Sequence, residues 1–311
     1  MIISASYKTD IPAFYGKWFM NRLRDGYCRV RNPYNGKMSL ISLRRENVDG
    51  FVFWTKNAGP FLPHLPEVKR LGFPFYVQYT INGYPRQLEF SVTDKQRSIK
   101  HAKEISSAFG SAALVWRYDT ILITTLTPPG FHIRNFKEIA EKLQGVTSEV
   151  VVSFAQIYAK TKRNLNEAAK EASFEWIDPP PKEKFALCLE LTGIARRFGM
   201  QLSVCSQHDY VVPGAIDAQC VDKQRLAELA GRPIAAPLKG NRPECGCYES
   251  RDIGDYDTCP HGCVYCYAVM NRRLAQERYR EHDPESDCLH KTSAEAEEPA
   301  EPPAQGTLPM F

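Results

Sequence analysis

Short apolar runs and amphipathic stretches alternate along the first two thirds of the chain. Six runs rich in β-branched and aromatic residues stand at 2–6, 50–56, 73–81, 113–121, 149–157 and 201–206. Near-continuous apolar runs bounded by turn residues predict strands buried on both faces. The stretches between them carry the helix period. Residues 12–24 place Phe14, Trp18, Phe19 and Leu23 on one face. Residues 93–109 open on a Thr93 or Asp94 cap and align Ile99, Ala102, Ile105 and Phe109. Residues 135–143 and 182–198 read likewise. Strand and helix alternating in this way predict an α/β fold. The expected form is a parallel (β/α) barrel or partial TIM-like barrel over residues 1–211, with an open doubly wound sheet as the alternative.

Polar residues gather where those strands end. They are Ser6 through Asp10, Thr55-Lys56-Asn57, Tyr79 through Asn82, Arg117-Tyr118-Asp119, Ser153 with Gln156, and Cys205-Ser206-Gln207. Barrel enzymes carry their chemistry at the carboxyl ends of the strands, so a shared pocket is expected there.

From 212 to 258 the helix period fades, and Gly, Pro and Cys increase. A Cys-rich, metal-shaped segment is expected over 212–282, completing the barrel site. A helix rich in Arg272, Arg273 and Arg278 is expected at 269–279. From 283 to 311 the Pro, Ala and Glu composition predicts a disordered tail.

The chain has 311 residues, 43% of them hydrophobic, which is enough for a sizeable core. No apolar run is long enough to span a bilayer. The first residues lack the pattern of a secretory signal, so a cytoplasmic location is expected. In that reducing compartment ten cysteines point to metal ligation more than to disulfides. Residues 281–311 hold eight acidic residues against one lysine, a net −7, which leaves +11 on the other 280 residues of a chain whose total is +4. Such a body attracts phosphate-bearing partners, unless the excess is only a solvated basic surface.

The densest chemistry lies in Cys259-Pro-His-Gly-Cys263-Val-Tyr-Cys266. Three thiolates can hold three irons of a 4Fe–4S cluster and leave the fourth iron open to a small molecule. The alternative is structural zinc, which needs a further ligand from elsewhere in the chain. Cys28, Cys188 and Cys288 read as isolated structural thiols. Cys205, Cys220, Cys245 and Cys247 number enough for a closed site, either a second iron–sulfur cluster or zinc. Cys205 alone could instead donate hydrogen to a radical.

The Cys-x-x-x-Cys-x-x-Cys spacing, with Tyr265 before the third cysteine, resembles the signature of radical S-adenosylmethionine enzymes. The wider string from His261 to Ala268 is most similar to the spore photoproduct lyase-type branch. Phe53-Trp-Thr-Lys-Asn57, and the run from Tyr79 to Glu89, are similar to strand-end segments of the same enzymes. The N-terminal Ser4-Ala-Ser-Tyr-Lys-Thr-Asp-Ile-Pro-Ala-Phe14, taken with the cysteine-rich end, resembles a bacterial family described only as a domain of unknown function. Tyr7-Lys8 stands where that family usually has two arginines. In the radical enzymes the cysteine loop follows the first strand, whereas here it follows the last predicted one, so the resemblance implies a circular permutation.

The resemblance implies that Cys259, Cys263 and Cys266 bind the cluster and that S-adenosylmethionine chelates its open iron. One electron would then cleave the sulfonium to methionine and a 5′-deoxyadenosyl radical, which abstracts hydrogen from a substrate. Tyr265 would pack near the adenine. Lys56, Glu89, Arg117 and Asp119 are the expected catalytic residues, with Arg117 gripping a carboxylate or phosphate. Each of the four could equally sit in a structural ion pair. A nucleic-acid or nucleotide-like substrate and a cytosolic one-electron reductant are the expected partners. The competing readings are radical chemistry on a peptide or small metabolite, and a zinc-stabilised nucleic-acid-binding protein without catalysis. The terminal Gln305-Gly-Thr-Leu308-Pro-Met-Phe311 loosely resembles peptides that bind the sliding clamp.

Overall fold

The structure, a computed structural model, describes residues 1–290. Eight strands form one sheet: β1 (Ile2–Ala5), β2 (Gly50–Thr55), β3 (Phe75–Thr80), β4 (Leu114–Ile121), β5 (Glu149–Phe154), β6 (Gln201–Val204), β7 (Ile216–Asp217) and β8 (Ser250–Asp252). Their order in space is β7-β6-β5-β4-β3-β2-β1-β8, and every neighbouring pair is parallel. The chain is therefore α/β, as its alternating pattern predicts. β7 and β8 stand at the two ends of the hydrogen-bonded order, so among the described residues strand pairing does not close a barrel.

Strand alternation sorts the side chains into two layers. Ile3, Phe51, Phe53, Phe75, Val77, Leu114, Trp116, Val150 and Val152 enter the large core shared with the helices. Ile2, Val52, Tyr76, Val115 and Val151 point the other way and meet Leu226, Ile234 and Tyr248. Both faces are thus covered, which is why these strands read as nearly unbroken apolar runs. The cover on the second face comes from the segment expected to be irregular. It contains β7, β8 and a helix at Lys223–Ala230 capped by Asp222, whose carboxylate accepts from Gln224 N at 2.8 Å. Only Leu226 of that helix is buried, so its apolar stripe is too thin to show a period.

Two other expectations change. The helix predicted over 12–24 is two helices, Ile11–Phe14 and Gly16–Asp25. Tyr15 separates them at φ −125°, with its hydroxyl drawn to the Thr258 carbonyl at 2.5 Å. The tail does not begin at 283. Trp18 donates to the Ser286 carbonyl at 2.9 Å, and Arg29 pairs with Asp287 at 2.6 Å, which fastens residues 283–290 to the body. The rest of the expected tail, with its clamp-like peptide, lies outside the described residues. Among the described residues no helix is long and apolar enough to cross a membrane.

One buried histidine makes the fold acid-sensitive. His132 lies against the Tyr118 hydroxyl at 3.0 Å and the Leu122 carbonyl at 3.1 Å. Burial lowers its pKa from 6.5 to about 4. Below pH 6.5 the unfolded chain gains a proton there and the folded chain does not. Stability is therefore lost as the pH falls from 6.5 towards 4, by roughly 3 kcal/mol in all. The unfolding free energy of the wild type minus that of His132→Gln should shrink by about 2 kcal/mol between pH 7.5 and pH 5 in urea titrations. A difference that ignores pH would remove His132 from the acid response.

Candidate metal centre at the strand tips

The cysteine loop begins from a tie between the two strands at one edge. The Asp252 carboxylate, at the end of β8, accepts from Ser4 Oγ at 3.0 Å, Ser6 Oγ at 2.7 Å, Tyr7 N at 3.0 Å and Gly254 N at 3.0 Å. Burial holds its pKa above the ordinary carboxylate value. Because β1 and β8 are parallel, this tie sends the chain beyond Asp252 across the carboxyl ends of the sheet.

Three contacts then fasten the loop to those ends. His261 Nε2 lies 2.7 Å from Asp10 Oδ2, and Asp10 also accepts from Lys56 N at 2.7 Å and from Ala13 N at 2.9 Å. Ser91 N donates to the His261 carbonyl at 2.8 Å, and Val264 N donates to the Leu88 carbonyl at 3.1 Å. Gly262 sits at φ +71°, where a side chain would be strained, and an added Cβ would approach Arg272 Nε to 2.9 Å and Phe90 Cβ to 3.2 Å.

Under the loop lies a buried polar network. Lys56 Nζ is 2.8 Å from Glu89 Oε1 and 3.0 Å from the Tyr265 hydroxyl. Tyr265 also donates to Glu89, and Asn82 Nδ2 donates to Glu89 at 3.1 Å and to Tyr265 at 3.1 Å. Burial works most strongly to raise the Glu89 pKa, but the Lys56 ammonium together with hydrogen bonds from Tyr265 and Asn82 leaves the carboxyl below its usual value. Burial likewise works to lower the Lys56 pKa, and Glu89 with Cys263 carries it upward instead. Both groups stay charged. Tyr265 is expected beside an adenine. Its ring is buried against Tyr84, with centroids 6.0 Å apart, and its hydroxyl locks the loop to β2 and to the segment after β3.

Cys259, Cys263 and Cys266 are each partly exposed above this network. Burial raises all three thiol pKa values, so metal binding there must displace protons. Ala268 N donates to Cys266 Sγ at 3.4 Å, and Lys56 lies close enough to Cys263 to favour its thiolate. Among the described residues no group of three or more His, Cys, Asp and Glu side chains stands ready-made around a metal. The donor chemistry fits a soft metal or a cluster: three sulfurs on one short loop, a cation beside them and a backbone amide aimed at sulfur. The thiols would close on the metal as it binds.

The remaining expected residues form a neighbouring group. Arg117 Nη2 and Asp119 Oδ2 are 2.5 Å apart, Ser153 donates to Asp119, and Arg117 Nη1 reaches Gln78 Oε1 at 3.2 Å and Cys220 Sγ at 3.0 Å. The Arg117 fork, expected to grip a substrate anion, is already filled, with the Trp54 ring 5.1 Å from its Cζ. Lys56 and Glu89 therefore belong with the cysteine triad, and Arg117 and Asp119 with the second set of thiols. Asn82 bridges the groups, since it also holds the Asp119 backbone through both amide atoms, at 3.0 and 3.1 Å. Sequence reading places Asn82 at a strand end and gives it no role. It misses Asp252 altogether, because nothing in Ser250–Asp252 reads as a strand.

A family model described as a domain of unknown function, DUF1848, matches residues 2–268. The chain belongs to that family. No curated protein and no solved structure matches it. The DUF1848 match takes in all eight strands, both sets of thiols and the buried network, and it ends just after Cys266. It stops before the Arg272–Arg280 helix, so that helix and the anchored residues 283–290 lie outside the DUF1848 match.

In this DUF1848 chain, Glu89→Leu leaves the Lys56 cation without its carboxylate and should cost about 3–5 kcal/mol of stability. The double variant Lys56→Met/Glu89→Leu should recover most of that loss in denaturant titrations. Strictly additive losses would show that the two charges are not coupled.

Proposed function

We propose that this chain is a radical S-adenosylmethionine enzyme whose Cys259, Cys263 and Cys266 hold a 4Fe–4S cluster. The observation that carries this reading is the delivery of the three-thiol loop, from an edge strand, to the carboxyl tips of an all-parallel sheet. Cys259, Cys263 and Cys266 would hold a cluster that, with S-adenosylmethionine and one electron from an external reductant, would supply sulfonium cleavage to methionine and a 5′-deoxyadenosyl radical for hydrogen abstraction from substrate. The chain's own residues set the conditions. Lys56 offsets the negative charge of gathered thiolates. Asp10 and Asp252 fix both ends of the loop approach. The 216–248 cover closes the inner face of the sheet and limits water from below. β8 also lies beside β1, so the cysteine loop follows the strand that would be first if the chain were cut and rejoined. That arrangement supports the permuted relationship.

The rim supports a nucleic-acid or nucleotide-like substrate. Lys160 lies near Cys266, and Arg163 on the same helix donates to the Met270 carbonyl at 2.7 Å, joining Ala159–Ala172 to the loop before Arg272–Arg280. Arg272 stacks on Phe90 with 3.4 Å to the ring centroid; Phe90 is exposed, as are Tyr158, two residues before Lys160, and Tyr267, next to Cys266. Cations among exposed rings suit phosphates and stacked bases.

Anaerobic reconstitution should load about four irons on the triad. Dithionite with S-adenosylmethionine should then release 5′-deoxyadenosine. The Cys259→Ala/Cys263→Ala/Cys266→Ala variant should lose that iron and all release. Unchanged iron in the variant, or a fully loaded wild type that never cleaves the sulfonium, would end the proposal. For the substrate class, Lys160→Glu/Arg163→Glu/Arg273→Glu should weaken single-stranded DNA binding. It should also flatten the slope of log affinity against log salt by about 2, at roughly 0.7 per lost phosphate contact. An unaltered slope would separate this rim from nucleic acid.

A further inference from the structure

Four thiols outside the triad converge on the inner face of the sheet. Cys205 follows the end of β6, Cys220 lies just past β7, and Cys245 and Cys247 come from the loop before β8. Cys220 Sγ is 3.5 Å from Cys205 Sγ. Cys247 lies near enough to both Cys220 and Cys245 to influence their titration, and all four pack in one cluster on that face. Cys205, Cys220 and Cys247 are buried and Cys245 is partly so.

Simple packing does not account for what surrounds them. Arg117 donates to Cys220 Sγ at 3.0 Å, Arg242 donates to Cys205 Sγ at 3.7 Å, and Val221 N donates to Cys247 Sγ at 3.3 Å. A neutral thiol is a weak acceptor, and a buried guanidinium gains little from it. The same donors are well spent on metal-bound thiolates, which carry excess negative charge. Cys28 and Cys188, buried elsewhere as lone thiols in the main core, show what plain filling looks like here.

We propose that Cys205, Cys220, Cys245 and Cys247 form a closed four-thiolate site for one zinc ion. Bonds of about 2.3 Å in a tetrahedron put neighbouring sulfurs about 3.8 Å apart. The Cys205–Cys220 separation is within a few tenths of an ångström of that edge. It is too short for two ligands on different irons of a cluster, whose sulfurs the inorganic core holds apart. The four thiols cluster without forming a ready-made cage, so rotation of side chains, with Cys245 the most accessible, closes the site around the ion. The ion would pin β6, β7 and the approach to β8 together. It would also hold Arg117 and, through it, Asp119. This site stands whether or not the triad holds a cluster.

The test uses the full chain carrying Cys259→Ala/Cys263→Ala/Cys266→Ala, so that triad metal cannot contribute. Purified without chelator from zinc-supplemented medium, it should contain about one zinc per chain by elemental analysis, with zinc X-ray absorption showing four sulfur neighbours near 2.3 Å. Adding Cys245→Ser/Cys247→Ser should lower the zinc at least tenfold, while adding Cys188→Ser should leave it unchanged. If the serine variant does not fold, the zinc count and sulfur shell of the parent still decide. Absence of zinc, a shell with oxygen or nitrogen, or about four irons in its place would overturn the assignment.

Discussion

A buried ion pair between Lys56 and Glu89 governs how this molecule presents its cysteines. The pair spans the tip of β2 and the segment after β3, and the Tyr265 hydroxyl completes it from a loop 209 residues further along the chain. Withdrawing two charges from water costs several kcal/mol per ion, and mutual attraction offsets this only when the remaining donors and acceptors are satisfied. Asn82 and Tyr265 supply that satisfaction. Such a pair adds little net stability relative to apolar packing. Its value is positional: a cysteine loop shifted by one residue would leave Glu89 short of a donor, so one register is favoured over its neighbours.

The sheet order gives that lock its meaning. A loop that follows the last strand would ordinarily lie far from the first. Here β8 returns to pair with β1, and the Asp252 cluster turns the chain over the strand tips. With the first strand paired to the last at one edge of a parallel sheet, a permuted order of the same strands is structurally cheap. The irregular segment before β8 is what permits the return. It crosses the inner face, places Leu226 against the sheet, and brings three more thiols with it.

What could be read from the residues follows the strength of each physical signal. The six long apolar runs correspond to β1 through β6, because strands covered on both faces need unbroken apolar sequence. β7 has two residues and β8 has three, and β8 is Ser-Arg-Asp, held by backbone pairing and a carboxylate rather than by apolar burial. No hydrophobic pattern could announce it. The cysteine spacing was legible because it is local. Lys56 was legible as a strand-end polar residue and Glu89 through the resemblance of the run from Tyr79 to Glu89, but their partner was not, since the contact depends on a fold that brings Tyr265 back across the sheet. Residues 283–290 read as tail by composition, yet their backbone carbonyl at Ser286 and the Asp287 carboxylate, neither of which composition weighs, fasten them.

Charge relates the two thiol groups. Seven cysteines near one end of a sheet would, as ligands, concentrate negative charge that bulk water does not fully screen. Lys56 and Lys160 lie by the triad, and Arg117 and Arg242 by the second group. Glu89 and Asp119 moderate these cations, one in each group, and Asn82 bonds to the Glu89 carboxylate and to the Asp119 backbone. Asn82 thus joins the Glu89 carboxylate beside the triad to the backbone of Asp119, whose side chain pairs with Arg117 beside the other thiols. The two thiol groups come from separate loops, and Asn82 is the residue whose hydrogen bonds run between their polar surroundings.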